Sequence, residues 1–177
     1  MLFCPEINTI KLNDNNKLFS IERDNEFKNE LNKFQIISFK IKDDEKIFTK
    51  KILYYKIDEY NEQLTEKFGK NRNLRICIGI EIDENNNIVI NKSLPCLFCS
   101  FPLVGSEAHE LPFYINSLDF EPDSERQALL LDGDEKDEKT GKISAPGINK
   151  MILLKAAEIY KSLLDYIDQI NLKKDIY

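Results

Sequence analysis

Tryptophan is absent from this chain of 177 residues, histidine occurs once, cysteine four times, and glycine and proline six times each. Each scarcity excludes something. A structural zinc site takes four Cys or His ligands, usually as two close pairs. Here one pair, Cys96-x-x-Cys99, stands with the distant Cys4, Cys77 and the single His109. Four cysteines in a chain of this size also fall short of a disulfide framework, so reduced thiols and a cytoplasmic location are expected. Six glycines leave no G-x-x-x-x-G-K-S/T or G-x-G-x-x-G run, hence no obvious phosphate cradle. No serine lies in a G-x-S-x-G elbow. No apolar run approaches the roughly 18 residues that span a bilayer. The opening residues, Met1 to Glu6, lack the basic stretch and apolar core of a signal peptide, so no membrane association is expected.

What is present suits a globular protein. The hydrophobic share is 42%, the charged share 32%, and the net charge −6. The length fits one domain and is enough to bury a real core. The acidic balance weighs against non-specific nucleic-acid binding, which depends on neutralising phosphates. Lys67, Lys70, Arg72 and Arg75, near Tyr60 and Phe68, make a small basic cluster, best read as a solubilising helix end.

The elements follow from periodicity. Ile7 to Leu12 and Leu18 to Ile21 suggest a hairpin around the turn cluster Asn13 to Asn16. Phe27, Leu31 and Phe34 share a helical spacing. Gln35 to Ile41 reads as a strand, and Ile47 to Tyr55 continues the sheet beyond the turn at Asp43 to Lys46. A helix is expected over Asp58 to Phe68, stopped by Gly69. From Leu74 to Ile82, isoleucine and leucine alternate with Arg75, Cys77, Gly79 and Glu81, the pattern of a strand with one apolar face. Ile88 to Ile90 would return as its hairpin partner. Leu97 to Leu103 and Phe113 to Ile115 are further strands, bounded by prolines that suit strand ends. The acidic stretch Asp132 to Lys142 reads as a mobile surface insertion. A long helix closes the chain over about residues 148–170, with Asn149 as N-cap and Ile152, Ala156, Ile159, Leu163, Tyr166 and Ile170 as its stripe. The class expected is α+β: an antiparallel or mixed sheet with packed helices and a long C-terminal helix, in one domain over residues 1–177, the sheet-rich part occupying about 1–145.

Several residues invite a chemical role. Residues three apart in a strand face opposite sides, so Cys96 and Cys99 read as packed thiols. Ser106, Glu107, His109 and Glu110 are close in sequence, but acid–base work needs oriented partners, and a solvated loop histidine is the better reading. Asp132, Asp134 and Asp137 lack the spacing of a calcium loop. Arg126 is the residue that stands out. It follows the acidic turn Asp119 to Glu125 and precedes the apolar Ala128 to Leu131. It either pairs with Glu121, Asp123 or Glu125 to fix the turn, or is offered to a nucleotide's γ-phosphate as an arginine finger.

The pattern Phe98-x-x-Phe101-Pro102-Leu103, then Leu111-Pro112-Phe113-x-Ile115-Asn116, then Asp119-Phe120-x-Pro122-x-x-x-Arg126, resembles the segment after the ATP-binding domain in sacsin-like GHKL ATPases, distant relatives of the ninety-kilodalton heat-shock chaperones. Ser124-Glu125-Arg126 also resembles the chaperones' catalytic-loop arginine, with a longer spacing from the Leu-Pro segment. The likeness covers about Leu74 to Ile170. It implies a middle or C-terminal coupling domain of a chaperone-like ATPase. Arg126 would act on ATP held elsewhere, and Asn116 and Glu125 would shape its loop. The family's asparagine helix, D-x-G-x-G motif and lid do not occur here. The resemblance therefore implies a fragment or subunit of a larger ATPase, with no activity in this chain alone and no cofactor or metal of its own. ATP and magnesium belong to the parent protein. The implied partners are an N-terminal nucleotide-binding domain, on the same or another chain, and a client protein. The alternative expectation is a nucleotide-independent protein-interaction domain that uses the LPFYIN segment and the last helix.

Overall fold

The computed structural model describes residues 7–14, 17–28 and 34–172. The protein is α+β, as its periodicities imply. It divides into two compact units. One comprises residues up to Tyr55 together with Gly79–Val89; the other comprises Lys56–Ile78 and Ile90 onward.

The first unit is an antiparallel meander of β1 (Thr9–Asp14), β2 (Lys17–Lys28), β3 (Phe34–Asp43) and the first part of β4 (Lys46–Tyr60). Ile37, Phe39 and Ile52 form its buried cluster, with Ile21 and Tyr54 packed against it. The alternation Ile37, Phe39, Ile41 puts three apolar side chains on one pleat face, all buried. Asp44, with φ of 53°, makes the tight reversal between β3 and β4. The helical spacing of Phe27 and Phe34 does not produce a helix. Phe27 ends in β2, paired with Ile36, and Phe34 opens β3, opposite Tyr55; Leu31 lies outside the described residues. A bulge at Asp24 and Glu26 carries β2 through a turn-like sequence without breaking it.

The second unit contains the end of β4, α1 (Glu62–Phe68), the start of β5 (Asn73–Ile82), β6 (Leu97–Cys99), β7 (Phe101–Pro102), β8 (Tyr114–Ser117) and α2 (Ala145–Leu172). Its strands run in the order β5-β8-β6-β7, with β6 parallel to β8 and antiparallel to β7. The expected helix from Asp58 is shorter. Strand β4 runs on to Tyr60, and Asn61 caps α1 by accepting from the Leu64 N–H at 2.9 Å. Gly69 closes it with φ of 68°. The single strand expected over Leu97 to Leu103 is split into β6 and β7 by Ser100, whose φ of 65° turns the chain sharply. Ile88 makes only an isolated bridge to Ile82.

The last helix starts earlier than expected. Ser144, not Asn149, is the capping residue: its Oγ accepts from the Gly147 N–H at 3.1 Å. Pro146 sits in the first turn, where its missing N–H has no partner to lose. Ile148, Ile152, Ala156, Ile159, Leu163 and Ile167 form the buried stripe. Ile167 is expected only to widen the stripe with Leu153, Tyr160 and Leu164; Tyr166 is half-buried, and the side chain of Ile170 lies outside the described residues. Phe113 stacks on Tyr160 at 4.3 Å between centroids, which puts α2 on the Phe113 and Ile115 face of this unit's strands. Among the described residues no helix is long and apolar enough to cross a membrane.

Candidate functional site

Arg126 lies on a hairpin within the second unit whose two arms are bonded across the turn. Pro122 bridges Leu129, the Asp123 N–H donates to Ala128 O at 2.9 Å, and the Leu130 N–H donates to Glu121 O at 3.3 Å. The Asp123 carboxylate accepts from the Gln127 N–H at 2.9 Å and closes the tip from inside. The Arg126 N–H donates to Asp123 O at 3.1 Å, and Arg126 itself takes the left-handed conformation, with φ of 56°. That conformation is costly for a residue with a Cβ and needs surrounding bonds to hold it.

Two anchors outside the hairpin do so. Asn149 of α2 is fully buried. Its amide nitrogen donates to Glu121 O at 2.7 Å and Leu130 O at 2.8 Å, and its oxygen accepts from the Glu121 N–H at 2.9 Å. One side chain thus clamps both strands of the hairpin onto the helix. The second anchor is the Arg126 guanidinium, which donates through Nη2 to Cys99 O at 2.8 Å. No carboxylate of the acidic turn holds it: neither Glu121, Asp123 nor Glu125 forms an ion pair with it among the described residues. Arg126 is exposed. A guanidinium carries five N–H donors and keeps its charge at any ordinary pH, so the hairpin presents a fixed cation at the surface.

The two residues expected to shape the Arg126 loop differ. Asn116, buried in β8, accepts from the Ser100 N–H at 3.1 Å and so fixes the β6–β7 turn next to Cys99. It therefore holds the N–H of the same peptide unit whose carbonyl receives Arg126. Glu125 points into solvent. The LPFYIN segment is not a free loop. Phe113, Ile115 and Asn116 are buried, with Ile115 and Asn116 in β8, the strand beside β5 and β6.

The remaining candidates separate. Cys96 is buried, with Sγ 2.8 Å from Ser106 O, while Cys99 is half-buried and directs its thiol to Phe120 O. Burial pushes the Cys96 thiol up from its ordinary pKa. Ser106 is also buried, and its hydroxyl accepts from the Cys96 and Leu97 N–H groups, both at 3.1 Å. Glu107 accepts from the Gly105 N–H, Glu110 pairs with Lys92 at 2.7 Å, and His109 is exposed. Ser106 and Glu107 are thus committed to main-chain N–H groups and Glu110 to Lys92, and none of these bonds orients His109. Among the described residues, no cluster of three or more His, Cys, Asp or Glu side chains forms a metal cage.

The acidic stretch is more ordered than its composition suggests. Lys136 bridges Ile143, the Ser144 N–H donates to Glu135 O at 2.9 Å, and Ser144 Oγ donates to Asp134 O. Asp137 accepts from the Lys139 and Thr140 N–H groups at the tip. The Thr140 bonds hold its pKa below the ordinary aspartate value. Gly147 makes this packing possible: a Cβ there would lie 2.2 Å from Glu135 O.

Sequence reasoning named Asn149 as a helix cap and Asp119 as part of an acidic turn, and missed the roles the structure gives them. Asn149 carried a weak signal, being an amide set between Ile148 and Ile152 on an otherwise apolar face. No family model, curated protein or solved structure matches this chain.

Proposed function

We propose that this chain is the coupling domain of a sacsin-like, chaperone-related GHKL ATPase. Arg126 then stabilises the γ-phosphate of an ATP held, with its magnesium, on a separate nucleotide-binding domain. The reading rests on the likeness described above and is supported by one observation: Arg126 is exposed yet rigidly mounted. Its backbone is strained, its guanidinium is anchored to Cys99 O, and its hairpin is clamped by Asn149. A finger residue needs that preorganisation, because a donor already in place costs no reorganisation when charge develops.

The test compares ATP turnover by the assembly that contains this chain with turnover by its Arg126→Ala variant. The expected loss in kcat is about a hundredfold to a thousandfold, the lower range for oxyanion donors and arginine fingers, with the unfolding midpoint little changed. Equal turnover refutes the role. So does magnesium-ATP hydrolysis by the isolated chain, which this reading expects to be inert.

The alternative, a nucleotide-independent protein-interaction domain, draws on different features. Phe101 is 72% and Leu154 69% exposed. Leu154 flanks a cleft of about 450 Å³ lined also by Tyr60, Asn61, Leu74, Ile143 and Met151. Partner binding that survives Arg126→Ala and ignores nucleotide selects this reading.

A further inference from the structure

Away from the Arg126 hairpin, two other guanidiniums of the second unit converge on one carboxylate. Arg72 Nη1 lies 3.9 Å, and Arg75 Nη2 3.6 Å, from Asp119 Oδ1. The Asp119 side chain is 3% exposed; those of Arg72 and Arg75 are 39% and 38% exposed. Charge-assisted N–H···O bonds run at about 2.7–2.9 Å, so neither guanidinium is hydrogen-bonded to Asp119. The carboxylate turns its other oxygen to the main chain, accepting from the Arg75 N–H at 3.2 Å. Asp119 therefore attracts and positions the two cations without satisfying their donors.

The surroundings hold the pair open. Arg72 lies over the Phe68 ring, its Cζ 4.4 Å from the centroid, a contact that uses the cation's charge and consumes none of its N–H donors. Lys67 lies 5.5 Å from the same ring and adds a third positive charge. The nearby Asp58 is engaged by Asn73 Nδ2 at 2.8 Å. Asp119 offsets one of the three positive charges.

We propose that Arg72 and Arg75 form a binding site for a phosphoryl oxyanion. Both nitrogens approach the same carboxylate oxygen, so they are less than about 8 Å apart, a gap that one tetrahedral anion bridges with a hydrogen bond of about 2.8 Å on each side. A single phosphoryl group is favoured over a nucleic-acid backbone. The cluster is small, and a chain of net charge −6 repels an extended polyanion. This site is separate from Arg126 and does not depend on the coupling reading.

The test is a titration of the full chain, labelled for detection of arginine Nε–Hε signals, with inorganic phosphate at constant ionic strength and chloride as the control anion. Saturable shifts of the Arg72 and Arg75 signals are expected with phosphate, and tighter binding with pyrophosphate. Arg72→Gln and Arg75→Gln should each weaken binding by about tenfold or more, as expected for loss of a charged hydrogen-bond donor. The two variants are made separately, and the wild-type titration stands by itself if either fails to fold. Shifts no different from those with chloride overturn the site, as does wild-type affinity in both folded variants. An oligo-dT strand that binds through Arg72 and Arg75 while phosphate and pyrophosphate do not also overturns it.

Discussion

Replacing Gly147 with alanine should destabilise the protein, although it lies in a helix where alanine is ordinarily better than glycine by about 1 kcal/mol. The added Cβ would stand 2.2 Å from Glu135 O, 3.0 Å from Glu135 C and 2.9 Å from Ile143 Cγ1. Ordinary van der Waals contact needs roughly 3.5 Å, so the Glu135 carbonyl has to retreat by about 1 Å. That movement breaks the Ser144 N–H bond to Glu135 O, a loss of about 1 kcal/mol. Overpacking adds about 2–3 kcal/mol. Less the helix gain, the net loss is about 2–3 kcal/mol, or roughly 5–10 °C in Tm for a chain of this length. Thermal and urea unfolding followed by far-UV circular dichroism measure it. Because the obstructing atom belongs to the main chain, truncating Ile143 to alanine in the same molecule should not restore stability. A Gly147→Ala protein as stable as wild type would refute the close approach of the acidic hairpin to α2.

Three further perturbations test other parts of the structure. Asn149→Ala removes three hydrogen bonds from a fully buried amide. At about 1 kcal/mol each, less the helix gain of alanine, the loss should be about 2–3 kcal/mol in urea unfolding; a change below about 1 kcal/mol would disprove the clamp. Arg126→Gly should equal or exceed Arg126→Ala in stability by up to about 1 kcal/mol, because only glycine takes a positive φ without strain; the reverse order of Tm values argues against the left-handed turn. The raised pKa of Cys96 means that the folded thiol keeps its proton where the unfolded one, near 9.0, begins to lose it. Its contribution is complete below that value and is lost as pH rises from there through the raised value of the folded thiol. Stability should thus fall more steeply above pH 9 in wild type than in Cys96→Ala, and Cys99 should be alkylated before Cys96; preferential labelling of Cys96 would contradict its burial.

Strict alternation made β5 and β3 legible, because a buried pleat face needs an apolar residue at every second position. The left-handed stop at Gly69 and most of α2 were legible for comparable local reasons. Elsewhere the deciding partner was distant in sequence. Phe27 and Phe34 fit a helical repeat, but Ile36 and Tyr55 recruit them into a ladder. Ser100 makes its turn without the glycine that would have signalled it. The charges around Arg126 suggested a carboxylate partner, whereas its anchor is a backbone carbonyl 27 residues earlier. Such an acceptor exists at every position and leaves no mark in composition. Asn149 resembled a cap because amides commonly begin helices; only the packed hairpin reveals its use.

A stripe of isoleucine, leucine and alanine adheres to an apolar surface in more than one way. Sliding such a helix by a turn, or rolling it by a residue, trades one set of aliphatic neighbours for another of similar worth. Asn149 breaks that degeneracy. Its amide meets the Glu121 N–H, Glu121 O and Leu130 O together in only one register, and any other leaves a polar group stranded among hydrocarbon. The helix is thus indexed as well as buried. A leucine at position 149 would remove that index, leaving the seating of α2 to the Ser144 cap, the close approach at Gly147 and the Phe113–Tyr160 stack.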